Sequence, residues 1–168
     1  EYEMKILVAV DSLDYGKEMV ALIENIGATT DAKLRIMTVI PSILAYTNLA
    51  VVPALVQELR DDAREDAVDL VNAMARQLKE AFPASDIDEK IVEGTPAHEI
   101  LAMADQWKSD LIIVGSHCLK GMKKLLIGSV SQSVVANANC SVLVCRNVPA
   151  PTAHALCAEK SEALHGQF

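Results

Sequence analysis

Apolar runs and amphipathic periods take turns along this chain. Lys5-Ile6-Leu7-Val8-Ala9-Val10 is apolar nearly throughout, the pattern of a strand covered on both faces, and it stops at Asp11-Ser12. From Tyr15 to Ile26, Met19, Leu22, Ile23 and Ile26 recur at helical spacing, predicting a helix capped by Asp11 or Ser12 and ended by Gly27. Lys33 to Ile40 (KLRIMTVI) is a second strand, cut off by Pro41. Ser42 to Pro53 has no clear period and reads as a loop with some helical turn. Ala54 to Ala81 is a long helix whose stripe of Leu55, Leu59, Ala63, Ala67, Leu70, Met74 and Leu78 is expected to be core. Pro83 ends it.

Ile87 to Glu93 alternates apolar and charged positions, which suits a strand near a sheet edge. Gly94-Thr95-Pro96 turns into a helix with Thr95 as N-cap, Pro96 at its first position and Trp107 near its end. Leu111-Ile112-Ile113-Val114 reads as a central strand. A loop with Gly121, Lys120, Lys123 and Lys124 follows, then a helix Ser129 to Ala138 and a last strand Ser141 to Cys145. Strand and helix therefore alternate as β-α-β-α-β-α-β-α-β. The fold class is α/β: a five-stranded doubly wound parallel sheet with helices on both faces. Residues 4–147 form the domain, and 148–168 read as a mobile tail.

The stretch from Asp110 to Ser131 carries the candidate chemistry. A strand that runs through a glycine-bearing, basic loop into a helix start aims unpaired backbone N–H groups at one spot, where an anion is welcome. The helix dipole alone contributes only roughly 0.3–1 kcal/mol, so several N–H donors and lysines must act together. The lysines equally suit a solvated face. Asp11 suits either a nucleotide (or its metal) or a helix cap, and Ser129 and Ser131 either phosphate contact or capping. His117 has no acid or nucleophile placed beside it by the sequence and reads as a hydrogen-bonding loop histidine; His98 reads as a surface residue in a first helical turn.

Composition narrows the classes. The 168 residues suffice for one domain, and 51% hydrophobic with 23% charged residues describes a globular chain. A formal charge of −8 argues against broad nucleic-acid binding, which depends on Lys and Arg displacing counterions. No apolar run reaches the roughly 18 residues a membrane span requires, and no basic-then-apolar signal opens the chain. No membrane partner is expected. Four cysteines without metal-site spacing read as reduced thiols of the cytoplasm. Cys118, near lysines, is either a redox-sensitive thiol or a neutral small side chain.

Five segments in order resemble the universal stress protein family: Ala9-Val10-Asp11; Gly94-Thr95-Pro96 followed by Ile100; Asp110 to His117; Gly128-Ser129-Val130-Ser131; and Val142-Leu143-Val144. Each is weak alone; the ordered set is specific and spans about Lys5 to Arg146. The resemblance implies a Rossmann-like fold of the adenine nucleotide alpha hydrolase kind. It also implies ATP, with Mg or Mn on its phosphates, in many members. The ATP-binding pattern Gly-x2-Gly-x9-Gly-[Ser/Thr] meets Gly115, then Cys118 where a glycine is usual, then Gly128-Ser129. A residue held in the left-handed region costs about 1–2 kcal/mol if it is not glycine, and Gly121 is an alternative place for the bend.

By resemblance, Ala9, Val10 and Asp11 lie by adenine and ribose with Val39 against the base. Val114, Gly115, Ser116, His117 and Cys118 lie at the ribose and loop, and Gly128, Ser129, Val130 and Ser131 give N–H and hydroxyl donors to the phosphates. The implied protein is an ATP-binding regulatory homodimer, paired through strand 141–145, whose nucleotide orders the 115–128 loop and so alters the surface offered to a partner protein. Any catalysis would be slow ATP hydrolysis. The alternative is a universal stress dimer that binds no nucleotide and serves as a scaffold.

Overall fold

Strand and helix close into one parallel sheet in the expected order. A computed structural model describes residues 3–27, 32–42, 53–116 and 127–146, the side chains of 53–55 excepted. The strands are β1 (Lys5–Ala9), β2 (Lys33–Pro41), β3 (Asp86–Gly94), β4 (Leu111–Gly115) and β5 (Ser141–Cys145). They pair all-parallel in the order β3-β2-β1-β4-β5. The apolar runs of β1 and β4 fall in the middle, where both faces must be dry, and the alternating β3 falls at an edge.

A 3-10 turn (Leu13–Tyr15) leads into α1 (Gly16–Asn25), and α2 is Pro53–Ala81. These helices cover one face, where Met19, Ile23, Val71, Met74 and Leu78 meet Ile6, Val8, Ile36 and Ile113. On the other face α3 (Pro96–Trp107) and α4 (Ser129–Asn137) bring Ile100, Ala104 and Val134 onto Leu7, Met37, Ile112 and Val114. Consecutive strand residues point to opposite faces, so β1 and β4 each serve both cores.

Two expectations for the core are corrected. Leu59 was expected in the buried stripe of α2 and is 46% exposed, whereas Met74 and Leu78 are wholly buried. A helix of 29 residues is about 43 Å long, while a nine-residue strand spans about 30 Å, so the first turns of α2 overhang the sheet. Ile26 was expected on the inner face of α1; it lies at the C-cap position and is exposed, because α1 stops at Asn25 and Gly27 turns away with φ +69°. Ser12, one of the two capping candidates, caps the 3-10 turn and not α1: its Oγ accepts from the Asp14 N–H at 3.3 Å, while Tyr15 holds the N-cap position of α1 with no side-chain capping hydrogen bond. Pro41 stays in β2 as its last residue, opposite Gly94. Thr95 occupies the N-cap position of α3 with Pro96 after it, but its side chain makes no capping hydrogen bond.

The amino end of the sheet is tied by charge. Arg35 donates through Nε and Nη2 to Asp88 at 2.8 and 2.5 Å, and its guanidinium lies 4.4 Å from the centre of the Trp107 ring. Trp107 thus packs at the end of α3, as expected. Partial burial pushes the Asp88 carboxyl up, but hydrogen bonds from Lys90 and Arg35, with their charges, outweigh it and hold the group below its usual range.

Cys145 ends β5 as a free, buried thiol. Burial, and then the Glu18 carboxylate, push its pKa up to about 11, whereas an unfolded thiol titrates near ~8.5. Folding therefore holds a proton that the unfolded chain releases. The stabilisation is complete below about pH 8.5 and is lost as pH rises toward about 11. The urea midpoint is expected to fall over that window more steeply than in Cys145→Ala. Parallel profiles for the two proteins would remove this assignment.

Candidate functional site

The strand order reverses between β1 and β4: β1 hands on to β2 on one side and β4 to β5 on the other. Helices on opposite faces then diverge and leave a crevice beyond the carboxyl ends of these strands. A cavity of about 450 Å³ occupies this place.

Its walls come from five elements. Ala9, Val10 and Asp11 leave the end of β1, and Val10 N–H still donates to Met37 O at 2.9 Å, keeping this exit beside β2. Met37, Thr38, Val39 and Pro41 contribute from β2, and Pro96 and Ile100 from the start of α3. Val114 and Gly115 end β4, and Gly128 to Ser131 enter α4. Most of the lining is aliphatic. The polar exceptions gather at Asp11, Thr38 and the start of α4.

Gly128 is the N-cap residue of α4 (φ −56°, ψ 150°), and its carbonyl accepts the first helical hydrogen bond, from Gln132 N–H at 2.9 Å. The N–H groups of Ser129, Val130 and Ser131 precede that bond and have no partner within the helix. They carry the positive end of the helix dipole to the cavity wall. Such an arrangement can hold an anion beside an apolar slot of a size suited to a small planar ligand.

The root of this wall is held by hydrogen bonds. Ser131 Oγ donates to Gly115 O at 2.6 Å, Ser116 N–H donates to Cys145 O at 2.7 Å, and the Tyr15 hydroxyl donates to Ser116 O. Gly115 is glycine for a packing reason. A Cβ there would stand 2.9 Å from Cδ2 of the buried Tyr15 ring.

The family model described as the universal stress protein family matches residues 4–146. The chain belongs to the universal stress protein family. The Universal stress protein A homolog 2 of Coxiella burnetii is 36% identical over 145 residues, covering 84% of this chain and 94% of that protein. The solved structure of protein MJ0577 of Methanocaldococcus jannaschii superposes with a TM-score of 0.72 at 24% identity, covering 88% of this chain and 98% of that one. An Arabidopsis thaliana family member, solved with AMP bound, gives a TM-score of 0.61 at 20% identity over 87% of this chain and 93% of its own. Two further family structures are complexes with cAMP and dAMP.

In this universal stress protein ten of the residues singled out from the sequence line the one cavity: Ala9, Val10, Asp11, Val39, Val114, Gly115 and Gly128 to Ser131. Ser116 is buried behind it, its carbonyl taken by Tyr15. His117, Cys118, Lys120, Gly121, Lys123 and Lys124 lie outside the described residues, as do most of the 42–53 loop and the tail from 147 onward. Sequence reasoning missed Met37, Thr38, Pro41, Pro96 and Ile100. The rule that ligands gather at carboxyl ends of parallel strands would have found Met37 and Thr38, beside Val39, once β2 was placed next to β1. Ser131 was expected to offer its hydroxyl to phosphate, and here that hydroxyl donates to Gly115 O. Among the described residues no cluster of three His, Cys, Asp or Glu is placed to hold a metal, and no helix is long and apolar enough to cross a membrane.

Proposed function

We infer that this universal stress protein binds an adenine nucleotide, ATP in the first instance, in the β1/β4 crevice and acts through binding rather than turnover. The observation that carries the reading is the joining of an aliphatic slot to an uncapped helix start within one cavity of about 450 Å³. Val39, Ile100, Val114 and Val130 would flank the base, and the N–H groups of Ser129, Val130 and Ser131 would take a phosphate. A divalent cation would arrive on the phosphates, with Asp11 as the carboxylate on that wall. AMP, cAMP and dAMP in distant relatives support the ligand class; because those relatives share 21% identity or less, the weight rests on this chain's own cavity.

The same reading includes a homodimer in the cytoplasm. β5 is an edge strand whose Val142, Leu143 and Val144 are only half buried, and an apolar edge invites a second strand. A partner protein would then read the nucleotide-dependent surface around residues 115–128.

Thermal unfolding with and without Mg-ATP or AMP tests the ligand. At a hundredfold excess over the dissociation constant a stabilisation of about 2.7 kcal/mol is expected, or roughly 5–10 °C for a domain of this size. No shift at millimolar nucleotide would leave the non-nucleotide scaffold as the function. Sedimentation giving a monomer at micromolar concentration would remove the dimer.

A further inference from the structure

The end of β4 is gripped from both faces of the sheet. Tyr15, from the turn before α1, lays its ring against Gly115 and donates its hydroxyl to Ser116 O. Ser131, from the first turn of α4 on the other face, donates Oγ to Gly115 O at 2.6 Å. Both hydroxyls act on consecutive carbonyls, and both side chains are at least nine-tenths buried. Neither bond stabilises a secondary-structure ladder: each joins a helix to the strand end across the core. Ser116 N–H, bonded to Cys145 O, anchors the same peptide to β5.

This position sets a distance. Val114 and Gly115 form the floor of the apolar slot, and the N–H groups of Ser129 to Ser131 form the anion seat. The strand and the helix are joined in sequence through residues 116–128, and the gap between floor and seat lies between their facing ends. The Ser131 bond fixes it directly. Tyr15 fixes the other side, because a strand end free to move away from α4 would take the accepting carbonyl with it.

We propose that Tyr15 and Ser131 are paired positioning residues, a two-hydroxyl clamp that holds the start of α4 at the separation from β4 that one nucleotide can bridge. The proposal rests on the nucleotide reading of the cavity. It assigns Ser131 Oγ to the protein and leaves the phosphate to the backbone N–H groups. It also gives a buried tyrosine outside the cavity wall an influence on the ligand.

The clamp acts on the distance between slot and seat, so its loss has a particular signature. A ligand that spans both, AMP, depends on the separation; one that fills the slot alone, adenosine, does not. Calorimetric titrations of the full chain with AMP and with adenosine are compared for wild type, Tyr15→Phe and Ser131→Ala. Tyr15→Phe keeps the ring against Gly115 and removes only the donor. Each variant is expected to bind AMP about threefold to tenfold more weakly, the range for one lost hydrogen bond, with adenosine affinity within about twofold of wild type. The double variant is expected to lose less than the product of the singles, since either hydroxyl alone leaves the clamp open on one side.

Equal loss for AMP and adenosine would reduce both residues to general packing and overturn the proposal, as would wild-type values in Tyr15→Phe. Amide hydrogen exchange without ligand separates this from failure of the functional reading. If wild type binds neither compound, the nucleotide reading falls. The clamp then stands if Tyr15→Phe raises exchange at Gln132 and the hydrogen-bonded amides that follow it in α4, and falls if exchange there is unchanged.

Discussion

Leu78→Ala is expected to cost about 2–5 kcal/mol, and Leu59→Ala less than about 0.5 kcal/mol, although both lie on one stripe of one helix. Leu78 is fully buried beside Met74 and Val71, where α2 crosses the sheet. Truncation there removes transfer energy and leaves a cavity that rigid strands such as Ile36 and Ile113 cannot close. Leu59 sits about five turns earlier, 46% exposed, where the helix overhangs. Urea unfolding of the two variants provides the comparison. A loss at Leu59 comparable with that at Leu78 would mean that the first half of α2 is covered by something beyond the described residues.

The second large effect belongs to Gly115→Ala. The added methyl would stand 2.9 Å from Cδ2 and 3.3 Å from Cε2 and Cγ of Tyr15. Those atoms are not the free end of a flexible chain: the ring is buried and its hydroxyl is bonded to Ser116 O. Overpacking of this kind costs about 1–3 kcal/mol, and here relief requires moving either the ring or the end of β4. Lower stability is therefore expected together with weaker AMP binding. Adding Tyr15→Ala to Gly115→Ala should restore part of the stability lost at position 115. If the two losses simply add, the ring is not the obstacle.

How much of this could be read from the residues depended on whether the controlling information is local. Apolar runs and capping signals are local, so β5, the Thr95-Pro96 start of α3 and the edge position of β3 all follow from the sequence. The joining of Asp11, Gly115 and Ser129 in one place also follows, because parallel α/β topology puts all carboxyl ends of strands on one side. The periodicity of α2, by contrast, continues past the point where the sheet ends, and nothing at Leu55 to Ala63 marks that limit. Ile26 keeps the apolar spacing of α1 after the backbone has left the helix at Asn25. Gly115 was placed at the ribose by resemblance, and the packing that leaves no room for its Cβ comes from Tyr15, a hundred residues earlier in the chain. Likewise Ser131 carries a motif suited to phosphate while its hydroxyl is already engaged by a main-chain oxygen. Long-range partners of this kind leave no periodic trace.

The placement of β1 also has a bearing on biosynthesis. Ile6 pairs with Leu34 on one side and with Leu111 on the other. A ribosome working at about 5–20 residues per second needs several seconds to deliver the second neighbour after the first strand has emerged. Until then the most apolar strand of the nascent polypeptide has one hydrogen-bonding edge bare, the condition that favours aggregation. Shielding by a chaperone during synthesis, and abrupt release from it once β4 has emerged, would be the cellular counterpart of having the earliest strand at the centre of the sheet.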